Sequence, residues 1–298
     1  MTAHGFCSGF ACFLGRPNTG KSTLTNALVG SKVAITSDRP QTTRHAIRGI
    51  VSRPDAQLVL VDTPGFHRPR TLLGQRLNDL VRATVVEVDI VAMCVPATEK
   101  VGPGDRFIAD QLHAIAGATT AIAVVTKCDI ASKNQVGERL LEVADLGDWA
   151  EIVPVSAVDG FQVGLLADLL VARLPEGPPL YPDGELTDSP ESVMVAELIR
   201  EAALSGVRDE LPHSIAVVVE EMVRGDQRID IHAVMYVERD SQKGIVIGVG
   251  GERLRDVGTA ARRQIEALLG ASVYLDLRVK VAKDWQRDPK QLNRLGFS

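Results

Sequence analysis

Eight residues near the start of the chain, GRPNTGKS from Gly15 to Ser22, lie between an apolar run, Phe6 to Leu14, and a stretch of helical periodicity, Ser22 to Leu28. This is G-x-x-x-x-G-K-[ST] with a strand before it and a helix after it, a context in which the loop cradles phosphate groups. Glycines let the backbone wind so that successive N–H groups converge on an anion, and the following helix adds the positive end of its dipole. In that reading Gly15, Asn18, Thr19, Gly20, Lys21, Ser22 and Thr23 surround a nucleotide, with Lys21 on the outer phosphates and the Ser22 hydroxyl on Mg²⁺. The alternative is a chance fall of two glycines and a lysine, against which the strand and helix context weighs.

At 298 residues the chain is long for one core, so two domains are expected. Its 45% hydrophobic and 24% charged residues are ordinary globular composition. A net charge of −5 argues against a protein that coats nucleic acid over its whole surface. The charge is uneven, however. Residues 239 to 298 carry 12 Lys and Arg against 7 Asp and Glu, whereas residues 191 to 238 carry 4 against 10. A phosphate-backbone contact is therefore expected in the last sixty residues. Cys7, Cys12, Cys94 and Cys128 have no metal-type spacing and read as reduced core residues. The N-terminal segment lacks a basic region and runs into the glycine loop, as a first strand rather than a signal peptide does. No apolar stretch approaches the roughly 18 residues of a membrane span.

Residues 6 to 174 alternate β-branched runs with helical patterns, which predicts an α/β domain with a mainly parallel sheet. Strands are expected over Phe6 to Leu14, Ala46 to Ser52, Gln57 to Val61, Ile90 to Val95, Ala121 to Thr126 and Ile152 to Val155. Helices are expected over Ser22 to Leu28, Leu72 to Val86, Gly104 to Ala116, Asn134 to Ala144 and Gln162 to Leu174. Ligands in such sheets bind at the C-terminal ends of strands, where each further motif falls. Ser31 to His45 reads as a long polar loop, in which Thr42 or Thr43 can ligate Mg²⁺ and meet a terminal phosphate. Asp62-Thr63-Pro64-Gly65 places a carboxylate for the metal and a glycine whose N–H can approach a third phosphate. Thr126-Lys127-Cys128-Asp129 ends the fifth strand, and its aspartate can accept from two donors that guanine has and adenine lacks. Ser156-Ala157 then supplies a backbone N–H for the guanine oxygen.

Between Pro175 and Pro190 the chain reads PEGPPLYPDGELTDSP, a linker by composition. Ser189-Pro190-Glu191 opens a helix, and the order that follows is helix, strand, strand, helix, helix, strand. Val273, Leu275, Leu277, Val279 and Val281 alternate strictly, so the last strand is expected to bury one face. The two later helices are joined by Gly248-Val249-Gly250-Gly251, a G-x-x-G. In this order it fits a KH module of the second topological type, whose loop clamps a nucleotide backbone because glycine allows close approach. The loop's middle positions carry no cation, so the phosphate contact falls to Lys243, Arg253 and Arg255, unless these form only a solvated helix face. The six histidines have no ligand spacing, and 4% aromatic residues leave little for base stacking.

Taken together, GRPNTGKS, QTTR at Gln41 to Arg44, DTPGF, TKCD and SA resemble the translation-factor-related GTPases, and within them the Era family. The resemblance covers about residues 6 to 297 and implies a P-loop GTPase domain over 1–175, a linker over 176–190 and a KH domain over 191–298. It implies GTP and GDP as ligands with Mg²⁺, and hydrolysis served by Asn18, Lys21, Thr42, Thr43 and Gly65. It further implies small-subunit ribosomal RNA and the pre-30S particle as partners, a monomer, and a cytoplasmic, ribosome-associated setting that leaves peripheral contact with the inner face of the cell membrane open. Two positions depart from related GTPases. Thr126 stands where they carry asparagine, which predicts lost contacts to the base or phosphate loop and weaker nucleotide binding with guanine choice retained through Asp129. Phe66 stands where many carry the glutamine that orients water. Relatives with an apolar residue there use a monovalent cation held partly by a loop asparagine, so K⁺ beside Asn18 is expected unless Asn18 only braces the loop. An RNA-binding scaffold with a weakly active or inactive nucleotide site is the other reading. A tRNA-modifying GTPase would need a further helical domain for which the chain has no room.

Overall fold

Runs such as AQLVLVD and IVAMCVP have no polar face to offer water, so they form strands covered on both sides. The computed structural model describes residues 5–37, 43–115, 119–205 and 211–297. Its first unit takes in Met1–Thr36, Thr43–Arg68 and Leu77–Asp188. The elements over residues 7–171 are β1 (Cys7–Leu14), α1 (Lys21–Val29), β2 (Ile47–Ser52), β3 (Ala56–Asp62), α2 (Leu72–Glu87, whose residues to Arg76 fall in the second unit), β4 (Ile90–Pro96), α3 (Pro103–Ile115), β5 (Thr120–Thr126), α4 (Lys133–Ala144), β6 (Ile152–Pro154) and α5 (Val163–Val171). The sheet order is β2-β3-β1-β4-β5-β6, with β2 antiparallel to β3 and the other pairs parallel. Strand alternation sends Ile90, Ala92 and Cys94 of β4 to a core with Leu24, Leu28, Leu166 and Leu170. Val91, Met93 and Val95 enter a second core with Val85, Ile108, Leu112 and Val143. From β1 the chain reaches β3 on one side and β4 on the other, so the ligand crevice lies at the C-terminal end of β1.

Two segments differ from their sequence pattern. The loop after α1 is not uniformly polar, since Val33, Ala34 and Ile35 are buried. Asn26 makes this fold possible: its side chain accepts the N–H groups of Val33 and Ala34, each at 2.9 Å, and donates to the Ala34 carbonyl at 2.8 Å. The Pro- and Gly-rich stretch after α5 is likewise tied down. The Gln57 amide accepts the N–H groups of Leu180 and Tyr181 at 2.7 and 2.8 Å, and the Ile50 N–H donates to Leu186 at 2.9 Å. Arg48 pairs with Asp188 at 2.8 Å. The stretch thereby covers part of the free edge of β2, which would otherwise present unpaired backbone groups.

The second unit takes in Ser37–Thr42, Pro69–Arg76 and Ser189–Ser298. Its elements are α6 (Glu191–Leu204), α7 (Leu211–Ser214), β7 (Ala216–Arg224), β8 (Ile229–Val237), α8 (Asp240–Ile247), α9 (Glu252–Leu269), β9 (Val273–Val281) and α10 (Pro289–Arg294). In the sheet β7-β8-β9, β8 pairs antiparallel with β7 and parallel with β9. Val195, Ile199, Val257, Ala261 and Ile265 are buried at the helical face of this core, with Ile231 and Ala233 from β8. The alternation in β9 translates only in part: Val273 and Val279 are buried, but Val281 at the end of this edge strand is 36% exposed. Pro190 itself holds the cap position of α6, with no side-chain cap bond, rather than the first helical position behind a serine cap. The short helices α7 and α10 escape the sequence pattern. The buried Trp285 holds the end of α7, donating from Nε1 to the Ser214 carbonyl at 3.0 Å and stacking on Phe297, while Asp288 caps α10 by accepting the Lys290 N–H at 2.8 Å.

Candidate nucleotide and nucleic-acid sites

The loop from β1 into α1 needs left-handed backbone at two places, Asn18 with φ 64° and Gly20 with φ 90°. A Cβ on Gly15 would lie 2.6 Å from the Cys94 carbonyl oxygen, so only glycine fits where the loop leaves the sheet. Lys21 is buried, and its Nζ donates to the Gly15 and Arg16 carbonyls at 3.1 and 2.8 Å. Burial pulls this ammonium below its ordinary range, against Asp62, which favours the charged form. A desolvated cation held by two carbonyls is suited to anionic oxygen.

Ser22, Thr43 and Asp62 come from three separate segments and meet at one point. The Ser22 hydroxyl donates to Asp62 Oδ2 at 2.7 Å, the Thr43 hydroxyl to the same oxygen at 3.1 Å, and the hydroxyls lie 2.9 Å apart. Two hydroxyls and a carboxylate are hard oxygen donors of the kind Mg²⁺ prefers. Among the described residues no cluster of three His, Cys, Asp or Glu side chains could hold a metal. Thr42 lies outside the described residues. Gly65 sits against the loop: a Cβ there would come within 2.8 Å of the Pro17 backbone, and the Phe66 N–H donates to the Gly15 carbonyl at 3.1 Å. The Phe66 ring is buried and stacks on Phe107 at 5.8 Å, under the Arg82 guanidinium. It has no polar atom to give to a water.

At the end of β5 the Thr126 hydroxyl donates to the Thr19 carbonyl at 2.7 Å. The expected loss of a phosphate-loop contact at this position is therefore corrected, because the short hydroxyl lies close enough to reach the loop. Lys127 adopts φ 59°, and Asp129 is exposed with its Oδ1 accepting from the Ser156 hydroxyl at 2.9 Å. Ser156, singled out for its backbone, thus also orients the carboxylate through its side chain. Ala157 follows it, partly buried. Two further residues were passed over in the sequence. Asn26 organises the loop after α1 through partners seven and eight residues on, and Arg16 joins the phosphate loop to the start of α3, 89 positions away, so no local spacing marks either.

In the second unit Gly248, Gly250 and Gly251 have φ of 75°, 58° and 79°, and residues Val249–Gly251 form a 3-10 turn into α9. A Cβ on Gly248 would lie 2.8 Å from the Arg253 Cβ. Val249 is 92% exposed and Ile245 56%, so apolar side chains flank an open backbone turn. Arg255 is exposed and Lys243 partly so. Arg253 does not join them. Its guanidinium donates to the carbonyls of Ala203 and Ser205 at 3.3 and 3.0 Å, at the C-terminus of α6, whose orphan carbonyls draw a cation.

The family described as 50S ribosome-binding GTPase matches residues 10–127, and the KH domain family matches 210–286. The chain is 68% identical over 296 residues to the GTPase Era of Mycolicibacterium smegmatis, covering 98% of this chain and 99% of that one. It is 67% identical over 301 residues to the GTPase Era of Streptomyces coelicolor, covering 97% and 95%. A crystal structure of Era in complex with MgGDPNP and nucleotides 1506–1542 of 16S ribosomal RNA superposes with a TM-score of 0.93 at 35% identity, covering 98% and 99% of the two chains. A variant of Aquifex aeolicus Era bound to GDP and AlF4⁻ superposes equally, at 0.93 and 35%, covering 98% and 100%. With a glycine loop, a three-segment oxygen cluster and a KH-type G-x-x-G in one chain, and with identity of this extent along nearly its whole length, the chain belongs to the Era family of GTPases.

Proposed function

We propose that the chain is a GTP-hydrolysing switch that binds small-subunit (16S) ribosomal RNA through its KH domain and acts in maturation of the 30S subunit. The observation that carries this reading is the meeting of Ser22, Thr43 and Asp62. The loop before β2 there shares a carboxylate oxygen with the phosphate loop, so a ligand that draws the hydroxyls apart moves that loop. The relative crystallised with MgGDPNP and a 16S rRNA segment supports both ligand classes. The functional division runs 1–175 for nucleotide, 176–190 for the connection and 191–298 for RNA. No helix among the described residues is long and apolar enough to cross a membrane; the cytoplasmic, ribosome-associated setting is supported by the relative crystallised with 16S rRNA.

The residues fit the group they are asked to hold. Ser22, Thr42, Thr43 and Asp62 would hold Mg²⁺, which when bound would offset charge on the outer phosphates. Gly15, Asn18, Thr19, Gly20, Lys21, Ser22 and Thr23 wrap the phosphate chain, and Lys21, placed by the Gly15 and Arg16 carbonyls, reaches the phosphate oxygens. The Gly65 N–H faces the third phosphate. Asp129, held by Ser156, accepts the two guanine donors, Lys127 flanks the base, and the Ala157 N–H takes the guanine oxygen. Phe66 contributes nothing to the attacking water, so stabilisation of developing charge rests on the loop, with Asn18 a ligand for K⁺. On the RNA side, the backbone of Gly248 to Gly251 lies against the nucleotide chain, with Lys243 and Arg255 on phosphates.

Measurement of GTP turnover with and without a 16S 3′-terminal RNA, beside RNA affinity with a GTP analogue and with GDP, tests this. Turnover together with nucleotide-dependent RNA affinity is expected. Absence of turnover under every condition returns the scaffold reading, and RNA affinity indifferent to nucleotide overturns the switch. Faster turnover in KCl than in NaCl at matched ionic strength is expected, and equal rates overturn the K⁺ role of Asn18.

A further inference from the structure

Arg16, the first residue after the opening glycine of the phosphate loop, is held from a part of the chain some way off. Its Nε donates to Asp105 Oδ1 at 2.8 Å, and its terminal nitrogen pairs with Glu99 at 3.0 Å. Asp105 is fully buried at the start of α3, and its other oxygen accepts the Gly102 N–H at 2.9 Å. Between these acids Gly104 has no Cβ, and one placed there would lie 2.7 Å from Arg16 Cδ. The segment Glu99 to Asp105 is thus shaped around one arginine side chain. The main chain of the same arginine faces the other way. Its carbonyl accepts Lys21 Nζ at 2.8 Å and the Thr19 hydroxyl at 3.0 Å.

We propose that Arg16 and Asp105 form a positioning pair for GTP hydrolysis: the ion pair, with its carboxylate fully buried and its guanidinium partly exposed, fixes the Gly15–Arg16 backbone and, through its carbonyls, the place from which Lys21 reaches the phosphates. The exposed Glu99 adds little, because an exposed partner is screened by water. Binding of nucleotide is spread over many backbone N–H groups and tolerates a small shift of one carbonyl. Stabilisation of charge that develops during transfer depends on the placement of one ammonium. Loosening the pair should therefore lower kcat more than it raises KM.

The inference rests on the reading of Gly15 to Ser22 as the phosphate cradle, and the wild-type protein tests that reading separately. The full chain and its Arg16→Met, Arg16→Lys, Asp105→Asn and Arg16→Met/Asp105→Asn variants are compared for GTP kcat and KM and for thermal melting without nucleotide. Arg16→Met and Asp105→Asn are each expected to lower kcat by about tenfold to a hundredfold. KM should stay within about threefold, and the double variant should be no worse than the poorer single one. Arg16→Lys should recover part of kcat through one remaining charge pair. Wild-type kcat in folded Arg16→Met overturns the proposal, as do additive losses in the double variant or losses that track a fall in folded fraction. A wild-type chain that does not bind GTP overturns the cradle and this inference together.

Discussion

Two glycine loops precede helices in this chain, and both are proposed to meet chains of phosphates, yet they are built in opposite ways. The loop from Gly15 to Ser22 is a closed fixture. Lys21 is buried beneath it, Gly15 is jammed against Cys94, and carbonyls of Gly15, Arg16 and Thr19 accept from Lys21, Phe66 and Thr126. The loop from Gly248 to Gly251 is an open ledge, with Val249 almost fully exposed and the nearest arginine turned onto α6. A compact ligand with concentrated charge rewards fixed donors and a desolvated cation. A long chain with spaced charges rewards backbone access and cations on the rim. The lesson is that glycine spacing announces a phosphate contact, whereas burial of the neighbouring cation decides which kind.

The sharpest break of this contrast is at the buried cation. Lys21→Met should lower GTP turnover by about a hundredfold or more, while RNA affinity without nucleotide stays within about twofold; an RNA defect of equal size would mean the loops are not independent. Gly250→Asp comes next. Its φ of 58° strains any L side chain, and a carboxylate on the ledge repels phosphate, so RNA affinity should drop by about tenfold or more with GTP turnover unchanged. Unchanged RNA affinity would remove this loop as the clamp.

A salt titration separates the two arginines beside that loop. Arg255→Ala should reduce the dependence of log affinity on log salt by about 0.7, the value of one single-strand phosphate contact. Arg253→Ala should weaken binding with the salt slope intact, because its charge is spent on Ala203 and Ser205 rather than on RNA. A slope change at Arg253 would return it to the phosphate-contacting set. The smallest effect is expected at the Thr126 hydroxyl. Thr126→Val deletes its bond to Thr19 and should weaken GDP binding by about threefold to tenfold, equivalent to one hydrogen bond. Thr126→Asn should change it less, and a large gain would show that the hydroxyl does not replace the amide.

Much of this was legible in the sequence because it depends on short-range geometry. The spacing of Gly15, Gly20 and Lys21 demands a particular loop between a strand and a helix, and Asp62 and Asp129 follow strands whose apolar runs leave little choice of place. The G-x-x-G between two helical patterns was readable for the same reason, as was the apolar Phe66, whose ring has gone into the core. Partner choice over long separation was not legible. Arg16 and Asp105 lie 89 positions apart, Thr126 and Thr19 lie 107 apart, and Arg253 and Ala203 lie 50 apart. A polar side chain is satisfied by whatever the folded chain brings within about 3 Å, and nothing in its own neighbourhood names that group. The sequence by itself therefore determined where the glycine loops lie between strand, turn and helix. Only the tertiary structure decided which side chains hold the loops still, because that depends on strand order and on the turn at each strand end.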